Sequence, residues 1–139
     1  MRRSHITQFT VEFGDCDPAQ IVFYPNFFRW FDSAARHFFV AAGLPPWRDM
    51  EATMGIIGAP IVDASARFLA PATYGQAIEV ETAVSEWRGK SFVMKHTARR
   101  GEVTLAEGQE IRIFARRHPN DPERIQAIEA PDNIRKLLE

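Results

Sequence analysis

Apolar and polar positions along this chain follow two different periods. From Asn26 to Ala42 the residues Phe27, Phe28, Phe31, Ala34, Ala35, Phe38, Phe39 and Ala42 recur every third or fourth position, which predicts a helix with one broad apolar face. Pro25 suits the first helical turn, where a missing N–H costs nothing, and Gly43 with Pro45-Pro46 supplies the stop. Before this helix the period is closer to two: Ile6, Phe9, Val11 and Phe13 predict a first strand over His5 to Phe13 with one irregularity. After it, a short helical segment is expected around Trp47 to Met54, and the remainder reads mostly as strands. Ile56 to Leu69 includes Ile61 and Val62. Ile78, Val80, Thr82 and Val84 alternate with Glu79, Glu81 and Ala83, and Phe92, Met94 and His96 with Val93 and Lys95. Ile111 and Ile113 alternate with Arg112 and Phe114. Turn signals at Pro71 to Gly75, Arg88-Gly89-Lys90, Arg100-Gly101 and His118 to Pro122 separate these runs. Arg124 to Ile128 suits an edge strand, and Asp132 is expected to cap a last helix through Leu138.

One aromatic helix followed by consecutive strands is an α+β pattern, in which an antiparallel sheet covers the helix, and parallel βαβ units are disfavoured. The 139 residues suit one domain, 1–139, and 45% hydrophobic content suffices for a packed core. Net charge is −1, so no general basic excess points to nucleic acid, and an anion site has to be local. Cys16 is the single cysteine, which excludes an intrachain disulfide and a cysteine-rich metal site. A cytoplasmic location is expected, with no membrane partner, since no apolar run is long enough to span a bilayer.

The chemistry concentrates in Gly14-Asp15-Cys16-Asp17-Pro18, immediately before the helix start. A carboxylate there can attack or deprotonate, while unpaired N–H groups at the helix N-terminus stabilise a developing oxyanion. That combination suits acyl transfer. Cys16 is a weak nucleophile candidate, because flanking carboxylates disfavour a thiolate and no nearby base offsets them. His5, His37, His96 and His118 have no spacing that suggests a metal site or a catalytic relay, and read as surface or ordinary core residues.

The segments Glu12-Phe13-Gly14-Asp15-Cys16-Asp17-Pro18-Ala19, Gly43-Leu44-Pro45-Pro46-Trp47-Arg48, Glu86-Trp87-Arg88-Gly89-Lys90-Ser91-Phe92 and Ala127-Ile128-Glu129 occur in the order seen in one family. Together they resemble the 4-hydroxybenzoyl-CoA thioesterases of the hotdog superfamily. The resemblance covers nearly the whole chain. It implies a hotdog fold, a curved antiparallel sheet around a central helix. It also implies a homo-oligomer, a dimer of dimers forming a tetramer with active sites at subunit boundaries. By resemblance Asp17 is the catalytic carboxylate and Asp15 is mainly structural, while the backbone N–H of Tyr24 polarises the thioester carbonyl. Phe23 is the alternative donor.

Asp32 and Trp47 suit an aryl pocket, since a phenolic hydroxyl needs a polar partner and an aromatic ring gains from a flat apolar wall. The competing readings are an Asp32–Arg36 pair at helical spacing and Trp47 as a loop anchor. Arg88 and Lys90 form a cationic turn suited to the phosphates of coenzyme A, or else a solvated charged turn. Two departures from the family pattern stand out: Gly89 replaces a cation, leaving Arg124 as a further candidate, and Gln20 stands where glycine is frequent. The expected activity is hydrolysis of an aryl-CoA thioester, with 4-hydroxybenzoyl-CoA first. Asp17 either attacks the carbonyl or activates water. The alternatives are another aromatic or short aliphatic acyl-CoA, or a non-catalytic acyl-CoA binding protein. No cofactor or metal is implied, coenzyme A being part of the substrate.

Overall fold

In a computed structural model describing residues 2–139, the chain runs β1 (His5–Thr10), α1 (Pro25–Ala41), α2 (Trp47–Met54), β2 (Ile61–Phe68) and β3 (Ala77–Arg88). It continues through β4 (Ser91–Arg100), β5 (Val103–Arg112), β6 (Phe114–His118), β7 (Asp121–Ile128) and α3 (Asp132–Leu138). Strands β1-β3-β4-β5-β2 form an antiparallel sheet in that order, and β6 pairs with β7 separately. The α1 helix packs against β1, β3 and β5, giving the α+β hotdog arrangement that the motifs imply.

The aromatic face of α1 explains this packing. Phe27, Phe31 and Ala34 meet Ile78, Val80, Ala98 and Leu105, whereas Phe38 and Phe39 meet Met94, Phe92 and Phe114. All of these are buried, so the helix divides the core into two adjoining halves along its length. At the centre Phe31 lies so close to β5 that a Cβ on Gly108 would run into its ring. Glycine is the side chain that this approach admits.

Several expectations need correction. The first strand stops at Thr10 rather than Phe13; Asp15 Oδ2 accepts the Glu12 N–H at 2.8 Å and curls Phe13–Asp15 into a 3-10 turn. Ile56 is a buried core residue ahead of β2, not part of the strand, and Pro60 directly precedes that strand. Pro131, not Asp132, occupies the N-cap of α3. The faces of β5 also run opposite to a simple reading of hydropathy. Ala106, Gly108, Glu110 and Arg112 point inward and Ile111 is the partly exposed one, because register with β4 places Glu110 opposite Met94 and Arg112 opposite Phe92.

Candidate active site

The acidic motif folds as a tight loop held by its own backbone. Asp17 N–H donates to the Ile21 carbonyl at 2.9 Å, and the Gln20 N–H returns to the Asp17 carbonyl at 2.8 Å. To close this turn Gln20 takes φ of 65°, a left-handed conformation costing a non-glycine residue roughly 1 kcal/mol. Glycine would adopt it without that cost, which gives a physical reason for a glycine preference there. Asp17 Oδ1 accepts the Ala19 N–H at 2.8 Å, an Asx-type turn. This bond orients the carboxylate and leaves Oδ2 without a hydrogen-bond partner among the described residues.

The start of α1 faces the same cleft, of about 520 Å³, lined by Asp17, Tyr24, Phe27, Phe68 and Ala72 among others. Tyr24 is the N-cap and Pro25 supplies no N–H. The Asn26 and Phe27 N–H groups turn back to the Phe23 and Tyr24 carbonyls. Phe23 N–H is committed to the Asp15 carbonyl at 2.9 Å, which removes it as an alternative donor. The Tyr24 N–H donates to no acceptor among the described residues. Asp17, with a free carboxylate oxygen, and Tyr24, with a free helix-start N–H, therefore line one cleft and bring together a base or nucleophile and a potential oxyanion donor. Cys16 is half-buried, with Sγ 3.8 Å from the Glu12 carbonyl oxygen.

Asp32 and Trp47 line a different cavity, of about 490 Å³, together with Ile57, Ile61, Ile125 and Arg112. Asp32 does not pair with Arg36. Its Oδ1 accepts from Arg112 Nη2 at 2.7 Å, across 80 positions of sequence. The Arg112 guanidinium also stands over the Trp47 ring, 5.3 Å from its centroid. Trp47 Nε1 is buried without a hydrogen-bond acceptor.

Behind this cavity lies a polar set that local sequence reading missed. Arg112 donates from Nε to Glu110 at 3.0 Å and from Nη1 to the Ala59 carbonyl at 2.7 Å. Glu110 Oε1 lies 2.8 Å from His96 Nε2, and His96 Nδ1 lies 2.8 Å from the Thr82 hydroxyl. Thr82, His96, Glu110 and Arg112 are all buried. Burial pushes the Glu110 carboxyl upward, but the hydrogen bond and charge of His96 and the charge of Arg112 outweigh it, so it is held below the usual carboxylate range. The available signal was two charged residues two apart in one strand, inward by register, opposite a histidine strand.

Arg88 and Lys90 are exposed in the β3–β4 hairpin and line neither cavity. Gly89 there has φ of 53°, so the turn itself favours glycine over the cation of the family pattern. Arg88 pairs with Glu86 at 2.9 Å in the open. Within one protomer the six expected site residues thus fall into three groups: Asp17 with Tyr24, Asp32 with Trp47, and Arg88 with Lys90.

Comparison with known proteins places this geometry. Residues 11–138 match the family model of the Thioesterase-like superfamily. A 4-hydroxybenzoyl-CoA thioesterase of Pseudomonas sp. (strain CBS-3) is 48% identical over 142 residues, covering 99% of both chains. A crystal structure of a 4-hydroxybenzoyl CoA thioesterase, mutant D17N, complexed with 4-hydroxybenzoyl CoA, superposes with a TM-score of 0.90 at 44% identity and covers 99% of each chain. The structure of a gentisyl-coenzyme A thioesterase superposes with a TM-score of 0.80 at 31% identity, covering 96% of this chain and 98% of that one.

Proposed function

The chain belongs to the Thioesterase-like superfamily, and on that premise we propose that it hydrolyses an aryl-CoA thioester, 4-hydroxybenzoyl-CoA foremost, to the free acid and coenzyme A. The observation that carries this reading is 48% identity over nearly the full length of a 4-hydroxybenzoyl-CoA thioesterase. It is supported by the shared cleft of Asp17 and the Tyr24 N–H. The related D17N mutant complexed with 4-hydroxybenzoyl CoA supports both the substrate and an aspartate as the reacting group.

In this reading the thioester carbonyl lies against the Tyr24 N–H, whose hydrogen bond strengthens as the oxygen gains charge. Losing such a donor costs about 3 kcal/mol of transition-state stabilisation. Asp17 then works by one of two balanced routes. Its carboxylate attacks the carbonyl carbon, expels coenzyme A as the thiolate and leaves a mixed anhydride that water cleaves. Alternatively, it takes a proton from water, which attacks directly and expels the same thiolate. Neither route needs a metal or redox cofactor. Cys16 stays outside both.

Residues 1–139 act in this reading as one hotdog domain that works as a homo-oligomer, a dimer of dimers. The separation of the three residue groups within one protomer supports this, because a second copy can bring Asp32, Trp47 and the Arg88–Lys90 turn to the Asp17 cleft. Ile61, Val62 and Phe68 along edge strand β2 are exposed, as a subunit boundary requires. Arg88 and Lys90 hold the nucleotide phosphates, with Arg124 as a further cation. No helix among the described residues is long and apolar enough to cross a membrane. A coenzyme A ester as substrate and a single free thiol support the cytoplasm as its compartment.

Thiol release from a panel of 4-hydroxybenzoyl-, benzoyl- and short aliphatic acyl-CoA esters tests the activity. Fast release from the hydroxyaryl ester is expected; release from aliphatic esters alone would replace the aryl assignment, and none from any would leave a binding protein. Label found in the Asp17 carboxylate after a single turnover in H₂¹⁸O identifies nucleophilic attack, since water that cleaves the anhydride at the aspartyl carbon leaves its oxygen there and the general-base route never does.

A further inference from the structure

We propose that Arg112 is the positioning residue for Asp32, and that it thereby sets a preference for acyl groups ending in a hydroxyl donor. The inference deepens the reading above, resting on the Asp32–Trp47 cavity as the acyl end of the site.

The cavity wall is mostly apolar, Ile57, Pro60, Ile61, Ile125 and Trp47, and its two charged members differ sharply in exposure. The Arg112 side chain is 1% exposed and that of Asp32 55%. A ligand therefore meets the carboxylate, while the guanidinium holds it from behind. The planar fork of Arg112 is fully directed: toward Glu110, toward the Ala59 carbonyl and toward Asp32 Oδ1. Glu110 is fixed in turn by His96, and His96 by Thr82 and by stacking on Phe31.

With one oxygen of Asp32 tied down, Oδ2 has no partner among the described residues and remains as an acceptor in an apolar cavity. Two carboxylates face one permanent cation across this set. A ligand end that is itself anionic is repelled. An O–H donor satisfies Oδ2, whereas a methoxy group or bare ring C–H leaves it desolvated and unpaired. A merely structural ion pair would sequester both partners; here one stays open until something covers it.

The test measures kcat/KM for 4-hydroxybenzoyl-CoA relative to 4-methoxybenzoyl-CoA and benzoyl-CoA. Wild type should favour the hydroxyl ester by about tenfold to a hundredfold, the size of a hydrogen bond to a charged group. Asp32→Ala should bring that ratio close to one, and Glu110→Gln/Arg112→Met, which removes both members of the buried pair, should do the same. Arg112→Lys keeps the buried charge, guards against loss of the fold and should give an intermediate ratio, since one ammonium cannot serve three fixed acceptors. Adding Asp32→Ala to the double variant should change the ratio no further, and adding it to Arg112→Lys should bring the intermediate ratio close to one. A structural role alone would lower all three esters together and leave the ratio intact, and an unchanged ratio in folded Arg112 variants overturns the proposal. Wild type that cleaves aryl esters without hydroxyl preference overturns the proposal while sparing the thioesterase reading. Wild type that cleaves no aryl ester overturns both.

Discussion

Phe31 of α1 and His96 of β4 lie face to face, ring centroids 5.0 Å apart and planes 6° from parallel. This stack seats the central helix on the sheet, and it has room because Gly108, paired with His96 across β4 and β5, has no side chain. The obstacle to a larger residue is a buried ring rather than the end of a flexible chain. Gly108→Ala should therefore destabilise the protein by about 1–3 kcal/mol through overpacking, read as a lower urea midpoint at unchanged m-value. A midpoint equal to wild type would show that the contact relaxes freely.

Glu110 gives stability a pH signature. Its carboxyl is held below its ordinary value of 4.5, so the stability it contributes is complete above about that pH and is lost as pH falls through the lower folded-state value. Glu110→Gln should cost on the order of 3 kcal/mol at neutral pH, and the gap from wild type should narrow as pH is taken below about 4. Urea unfolding across pH 3 to 7 checks this; a gap that widens on acidification would mean the carboxyl is destabilised by folding.

Arg88 and Lys90 lie on an exposed hairpin away from both cavities, so their expected role is binding. Replacing both by alanine should raise KM for a CoA ester with a smaller effect on kcat, and added salt should weaken wild type more than the variant. The comparison with a shortened thioester lacking the nucleotide isolates the phosphates. Equal losses on both substrates would remove the turn from phosphate recognition.

How much of this was legible in the sequence follows from the range of each interaction. The Phe-rich helix declares itself because its contacts repeat at a fixed short period, and α1 begins at the proline expected to open it. The Gly-Asp-Cys-Asp-Pro loop is local too: hydrogen bonds that join Asp17 to Ala19, Gln20 and Ile21, and Asp15 to Phe23, close it within a short stretch of chain, so its residues identify it without the fold. The Asp32–Arg112 and His96–Glu110 contacts span 80 and 14 positions and depend on which face of β5 points inward. Hydropathy favours Ile111 for that face, and only the β4–β5 register shows that Glu110 and Arg112 take it. A local rule offered Arg36 to Asp32 because it could not see Arg112.

The separation of the three residue groups predicts that a lone protomer turns over poorly. Mass in solution and specific activity should fall together on dilution through the dissociation range. A fully active monomer would contradict the shared-site account.

The most direct test of the account is the single-turnover rate of Asp17→Asn on 4-hydroxybenzoyl-CoA, with substrate binding measured on the same sample. The amide keeps the shape of the loop but has neither the anionic nucleophile nor the base. Binding should stay within a few-fold of wild type while hydrolysis falls by about a thousandfold or more, a loss of at least about 4 kcal/mol in transition-state stabilisation. Near-normal hydrolysis by a folded Asp17→Asn protein would contradict the assignment of Asp17 as the carboxylate that breaks the thioester.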